Sequence, residues 1–169
     1  EEFPALYGVS ISLRNLSTLH ILVRERDPKA LWCSTKQECF LIDETGFVFA
    51  EAPKGTEHMY YRLLRTATTT PLRTVAIEPS RLTAILSFLK RLEGVGLDPQ
   101  ETLLLNDKEL EIAVQGGLLL LLREADYEKA LINLKVLLAQ DDVLPRAGKE
   151  LSVTYIDLRF GNKIYFKPK

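Results

Sequence analysis

Five consecutive leucines, Leu118 to Leu122, constrain this chain more than any other feature. A run with no polar position has no face to give to solvent, so it is expected to be a central strand with a helix layer over one side and other side chains over the second. Two segments can supply helices. Glu78-Pro79-Ser80 opens the first, because proline is tolerated in a first turn where its missing N–H costs nothing. Leu82, Ile85, Leu86 and Leu89 then repeat at helical spacing until Gly94 and Gly96 stop the pattern. The second runs from about Asp126, an expected cap, with Ala130, Leu131, Leu134, Leu137 and Leu138 as its apolar stripe.

Most of the remaining pattern has the two-residue period of strands. Val9, Ile11 and Leu13 alternate with serines, Asn15 breaks the run, and Leu19, Ile21 and Val23 resume it against His20, Arg24 and Arg26. That is a hairpin with a loose turn, and an isolated hairpin is barely stable in water, so it belongs to a small domain of which this is a part. After Asp27-Pro28 a denser pattern begins: Leu31 to Cys33, Phe40 to Asp43 and Phe47 to Ala50 are strands, the last two joined by a tight turn at Glu44-Thr45-Gly46. Residues Glu51 to Tyr60 form a polar loop and Thr66 to Thr70 a weakly patterned stretch. Thr102 to Leu105 and the alternating Leu110, Ile112 and Val114 precede the leucine run.

The last element alternates from Leu151 onward, with Val153, Tyr155, Asp157 and Arg159 on one face and Thr154, Ile156, Leu158 and Phe160 on the other. Gly161-Asn162 puts glycine first in a two-residue turn, as a type II′ hairpin requires, and Ile164 and Phe166 continue into a terminal strand. The fold class is therefore α+β: a long mixed or antiparallel sheet covered by two helices, preceded by a partial domain that contributes a hairpin.

Composition narrows the function. Among 169 residues, 22 Lys and Arg balance 23 Asp and Glu for a formal charge of -1, which offers no global field for nucleic acid or an anionic membrane. The longest nearly apolar run, Gly116 to Leu122, is far short of the roughly 20 residues that cross a bilayer. The start, Glu1-Glu2-Phe3-Pro4, suggests a piece of a longer product. His20 and His58 have no partner at catalytic or ligand spacing, and phosphate-loop, nucleophile-elbow and zinc-helix motifs are absent. Gly94-Val95-Gly96 follows a helix and is a helix stop, while Glu109 and Glu111 belong to solvated surface. No catalytic residue, metal site or cofactor is expected.

Cys33 and Cys39 bracket a polar turn, Ser34 to Glu38. Facing residues at the mouth of a hairpin can bring their Cβ atoms within bridging range, and closing so short a loop is worth roughly 2 to 2.5 kcal/mol. One disulfide or two buried thiols are the open readings, position favouring the first. A bridge indicates an oxidising compartment.

Asp157 and Arg159 sit two residues apart on one face of an otherwise apolar strand, and a structural charge pair is the natural way to tolerate that placement. Tyr155, Phe160, Tyr165 and Phe166 crowd the last hairpin. Lys163 and Lys167 beside them mark a guarded edge strand, which could accept a strand from a partner. Tyr155, Phe160, Lys163, Ile164, Tyr165 and Phe166 are the partner-binding candidates.

Three motifs together resemble a known family. Val23, Glu25, Arg26, Pro28 and Ala30 are similar to the Val-x-Glu-Arg-x-Pro-x-Ala passage between the POTRA and β domains of the bacterial division protein FtsQ, called DivIB in Gram-positive bacteria. Ile42, Asp43, Gly46 and Phe49 resemble its Ile-Asp-x-x-Gly-x-x-Phe hairpin, and Ile156-Asp157-Leu158-Arg159 its terminal Val-Asp-Leu-Arg strand. The Cys33/Cys39 pair and the loop from Glu51 to Tyr60 depart from the family pattern. The resemblance implies the end of a POTRA domain over residues 1–28 and a β domain over 29–169. In the whole protein it implies a single membrane-spanning helix, with this part on the extracytoplasmic side at the division septum. It also implies a scaffold without catalytic activity that binds the small membrane proteins FtsB and FtsL and helps regulate septal cell-wall synthesis. The alternatives are a POTRA-containing outer-membrane assembly or secretion protein and a cell-wall enzyme domain.

Overall fold

In the computed structural model, which describes residues 3–34, 38–56, 58–65, 72–116, 118–123, 126–140, 146–147 and 150–169, the opening alternation forms strands β1 (Leu6–Arg14) and β2 (Thr18–Glu25). Thr66 to Thr70, most of the turn between the cysteines, and the return through Pro145 and Gly148 lie outside the described residues. β1 and β2 make a two-stranded antiparallel sheet of their own, with Asn15 at φ 65° in the turn. Val9 pairs with Val23, Ile11 with Ile21 and Leu13 with Leu19, so the apolar residues form a continuous ladder. All six keep between 44 and 65% of their surface exposed.

The rest follows in chain order: β3 (Ala30–Ser34), β4 (Cys39–Ile42), β5 (Val48–Glu51), β6 (Arg62–Arg65), α1 (Pro79–Glu93), β7 (Pro99–Leu104), β8 (Glu109–Val114), β9 (Leu118–Arg123), α2 (Tyr127–Leu138), β10 (Arg146–Ala147), β11 (Glu150–Leu151), β12 (Val153–Phe160) and β13 (Lys163–Pro168). β10 and β11 pair with each other. The other strands build one nine-stranded sheet in the order β13-β12-β9-β8-β7-β6-β3-β4-β5. Adjacent strands are antiparallel except β12 with β9, β3 with β6 and β6 with β7. Two of those parallel pairs are explained by the helices, since α1 carries the chain from β6 to β7 and α2 from β9 to β12, and a parallel pair needs such a crossover.

Both helices lie over one face. Leu82, Ile85, Phe88, Leu89 and Leu92 of α1 and Ala130, Leu131, Leu134 and Leu137 of α2 are buried against Trp32, Leu63, Ile112, Leu120, Leu122 and Ile156 of the sheet. Phe88 stacks on Tyr127 at 4.9 Å between ring centres, and Arg91 makes a forked contact with Glu128, so the helices are joined to each other as well. β9 is an interior strand, third from the β13 edge, with β12 and β8 on its two sides. Its second face is only half covered: Leu119 and Leu121 keep partial exposure between Ala113 and Glu111 of β8 and Tyr155 and Asp157 of β12.

Three local expectations need correction. Asp126 stands at the start of α2, but its side chain makes no capping bond, because its backbone (φ -118°, ψ 20°) lacks the extended geometry that turns a cap oxygen toward the first helical N–H groups. Val153 packs into the helix-side core with Ile156 and Leu158 rather than sharing a face with Tyr155, because the register shifts between Val153 and Tyr155. Phe160, expected beside Leu158, is exposed, since a second shift between Asp157 and Phe160 breaks the alternation again.

Candidate functional site

The sheet ends in two edge strands, and their surroundings differ. Along β5 the chain covers its own edge. Val48 N–H donates to Thr74 O at 2.9 Å, Arg73 N–H to Val48 O at 2.8 Å and Ala76 N–H to Gly46 O at 2.9 Å, with a bridge between Phe47 and Val75. Along β13 no backbone group outside the hairpin with β12 is bonded among the described residues.

The β12–β13 hairpin turns at Gly161 (φ 64°), whose carbonyl accepts a 2.7 Å bond from Asn133 Nδ2 of α2. That bond fixes the hairpin tip to the helix layer. Ile164 and Phe166 point inward and pack against the core, so two of the six partner-binding candidates are committed to the fold. Tyr155 is half-buried beside Leu119, and Lys163 is exposed. Phe160 and Tyr165 remain 53% and 50% exposed and meet edge to face at 5.3 Å, with the Arg159 guanidinium 5.8 Å from the Phe160 ring centre. The structure thus brings Phe160, Lys163 and Tyr165 together on the outside of the hairpin. Lys169 N–H donates to Ser152 O. With the two-residue period of a strand, the N–H groups of Lys163, Tyr165 and Lys167 therefore face β12 and those of Ile164 and Phe166 face out from the sheet.

Asp157 and Arg159 are paired. Arg159 Nε donates to Asp157 Oδ1 at 2.9 Å, its Nη2 to Oδ2 at 2.7 Å and its backbone N–H to Oδ1 at 3.1 Å, while Nη1 reaches Glu109 at 3.3 Å. Burial pushes the Asp157 carboxyl up, but the side-chain and backbone bonds from Arg159 and its charge together hold it below the ordinary carboxylate range. The Arg159 guanidinium is raised in turn, first by its bond to Asp157. Glu109, read from sequence as solvated surface, is the third member of this cluster. Its register opposite Arg123 of β9 gave no sign of that, because the contact reaches over the intervening strand β9 to β12.

At the other end of the sheet, Cys33 and Cys39 face each other on β3 and β4 and their sulfurs are joined. Asp43, in the turn after β4, is buried and gathers bonds from Thr45, Phe47 and Arg26. Neither Arg26 nor Asp43 was singled out from composition or spacing. The Asp-x-x-Gly turn is the signal that could have found Asp43, since aspartate bonds its own backbone two residues on. His20 and His58 are both exposed, and no group of metal-binding side chains occurs among the described residues. No helix among them is long and apolar enough to cross a membrane.

No protein-family model matches the chain. Among curated proteins it is 24% identical over 161 residues to the cell division protein FtsQ of Rickettsia conorii and 26% identical over 161 residues to that of Rickettsia bellii. Each match covers 94% of this chain and 53% of the relative, so the chain spans about half the length of the curated relatives it matches. Likeness along nearly the whole chain, together with a long mixed sheet and two helices in the order the sequence motifs imply, makes this chain similar to the FtsQ cell division proteins over about half of their length.

Proposed function

We propose that this chain is a scaffold part of a division protein, without catalytic activity, that receives a strand from a partner on β13. The observation that carries the reading is the contrast between the edges: the start of β5 is covered by residues 73–76, whereas among the described residues β13 is left with outward backbone groups flanked by Phe160 and Tyr165. An added strand would bond to the N–H and C=O groups of Ile164 and Phe166, while the two aromatic rings supply a contact patch that selects among partners. The FtsQ likeness supplies the partner class, extracytoplasmic segments of FtsB-like and FtsL-like membrane proteins, and with it a role in regulating septal cell-wall synthesis. No affinity for nucleic acid belongs to this reading.

The same likeness motivates three further parts of the proposal. Residues 1–28 are the end of a POTRA domain and 29–169 a β domain. The whole protein is held by a single membrane-spanning helix with this part outside the cytoplasm, and the Cys33–Cys39 bridge forms there. Titration of the chain with the extracytoplasmic segments of its own organism's FtsB-like and FtsL-like proteins tests the partner assignment. Saturable binding, lost when the segment is scrambled, is the expected result, and absence of binding to either segment at high protein concentration defeats it. Intact mass without reductant tests the bridge, which should appear as a deficit of two hydrogens.

A further inference from the structure

The hairpin and the nine-stranded sheet share no strand pairing. From Val9 to Val23 every hairpin residue is exposed, so nothing along that stretch sets its direction. Among the described residues, the hydrogen bonds and ring contacts that join the two converge on one side chain, just past the end of β2. Arg26 Nη1 donates to Asp43 Oδ2 and Arg26 Nε to Pro4 O at 3.0 Å. Its guanidinium lies 4.2 Å from the centre of the Phe47 ring and 6.0 Å from that of Tyr7. One planar cation therefore touches the entry to β1, a ring of β1, the turn after β4 and the ring that follows that turn.

The acceptor is fixed before Arg26 reaches it. Asp43 Oδ1 takes bonds from Thr45 N–H at 2.9 Å, Thr45 Oγ1 at 2.6 Å and Phe47 N–H at 3.1 Å, which leaves Oδ2 held toward the hairpin. The side chains of Arg26 and Asp43 are only 13% and 7% exposed, unlike the neighbouring Lys29–Asp27 pair at 39% and 76%. Solvent screens the second pair and not the first, so only the Arg26 contact can hold a direction. Beyond it the chain is fastened again by Lys29 N–H to Ile42 O at 2.8 Å, which leaves Asp27-Pro28 as the joint between two anchored points.

The geometry points to Arg26 as a latch that sets the angle between the hairpin and the nine-stranded sheet, with Asp43 as its fixed catch. Units joined by a small polar contact move relative to each other by default, and a single charged clasp is enough to select one arrangement. The angle matters because β13 lies six strands from β3, about 30 Å away, so a swing of about 20° at the joint carries that edge about 10 Å.

The test is residual dipolar coupling and amide relaxation on the full chain. In the unaltered protein, couplings from Val9 to Val23 and from the sheet should fit one alignment frame, with a common tumbling time. Arg26→Ala should require two frames and lose the common tumbling time, while amide shifts of β7 to β9 stay in place. Arg26→Lys keeps the charge without the fork and the flat stacking surface, and should retain part of the coupling. Asp27→Ala, which removes only the exposed pair, should change neither. A single frame surviving in Arg26→Ala would overturn the latch by showing that packing around Pro28 sets the angle. Loss of the sheet's own dispersion in both Arg26 variants would overturn it too, by making Arg26 a folding residue.

Discussion

The two edges of the large sheet start from the same local device and end differently. β4 and β5 are joined by a tight turn with Gly46 at φ 73°, and β12 and β13 by one with Gly161 at φ 64°. The first hairpin is then covered at its turn end: residues 73–76 bond to Gly46 and Val48, Ile77 closes over Gly46, and the Arg26 contact lands on Asp43 in the same turn. The second is tied to the helix layer by Asn133 at its tip and by the packing of Ile164 and Phe166, but among the described residues the outward backbone groups of its outer strand are unbonded. A bare edge is a liability that chains usually cover or charge. This chain covers the start of one and places Lys163 and Lys167 on the other, the edge proposed above to receive a partner strand.

The sharpest way to break that contrast is to place the same methyl group in both turns. A Cβ at Gly46 would sit 2.0 Å from Ile77 O, so the covering segment would have to move as well as the turn accept a strained φ. Gly46→Ala should cost on the order of 3 kcal/mol in denaturant unfolding. At Gly161 the nearest atom is Lys129 Nζ at 3.4 Å, the end of a flexible side chain. Gly161→Ala should cost about 1 to 2 kcal/mol, the left-handed penalty alone. Equal losses would mean that the β5 edge is not held by its cover.

Binding is the next largest effect. Phe160→Ala and Tyr165→Ala each remove half of the exposed ring pair without touching the core, and should weaken a partner segment by about 2 kcal/mol. Ile164→Pro deletes one outward donor. Compared with Ile164→Ala, which loses the same packing but keeps the N–H, it should bind more weakly by about 1 kcal/mol. No difference between the two would show that the partner does not pair along β13.

Acid should loosen both ends. Asp43 and Asp157 have carboxyl pKa values below the ordinary 3.8 in the folded chain, in each case because hydrogen bonds outweigh the upward push of burial. The unfolded chain therefore takes up these protons at higher pH than the folded one. The stabilisation is complete above about 3.8 and is lost as pH falls through the depressed values. Melting temperature followed downward from pH 5 should decline in that window. Asp157→Asn should remove part of the decline while hydrogen exchange at Val48 stays slow, and Asp43→Asn should speed exchange there.

Much of the scaffold was legible because it rests on short-range rules. The leucine run located an interior strand of the sheet, the Pro79 and Gly94 signals bounded α1, and the six-residue spacing of Cys33 and Cys39 matched their facing positions on β3 and β4. What was not legible depends on contacts across the sequence. β6 was not read as a strand, since Arg62-Leu63-Leu64-Arg65 has no alternation and becomes a strand only by lying between β3 and β7. The cover on β5 comes from residues 25 to 28 positions away with no strand pattern of their own. The faces of Val153 and Phe160 were misassigned because a bulge adds a residue without leaving a mark in the hydrophobic pattern. Of the candidate edge, the aromatic pair was visible in sequence, but the inward commitment of Ile164 and Phe166 required knowing which side the helices lie on.

The smallest effect discriminates between two accounts of the open edge. Lys163 is exposed, stands opposite Phe160 in register and makes no ion pair among the described residues. If the edge is a backbone acceptor with an aromatic patch, this lysine lies at the rim, where water screens it and a partner side chain has freedom to avoid it. Lys163→Ala should then change affinity by a few tenths of a kcal/mol, with the change mostly in the association rate and shrinking as salt is raised. If the edge instead recognises its partner by charge, the same substitution should cost more than Phe160→Ala and steepen with falling salt. Measuring both variants at two ionic strengths separates the accounts, because backbone pairing and ring contact respond weakly to salt and an exposed cation responds strongly.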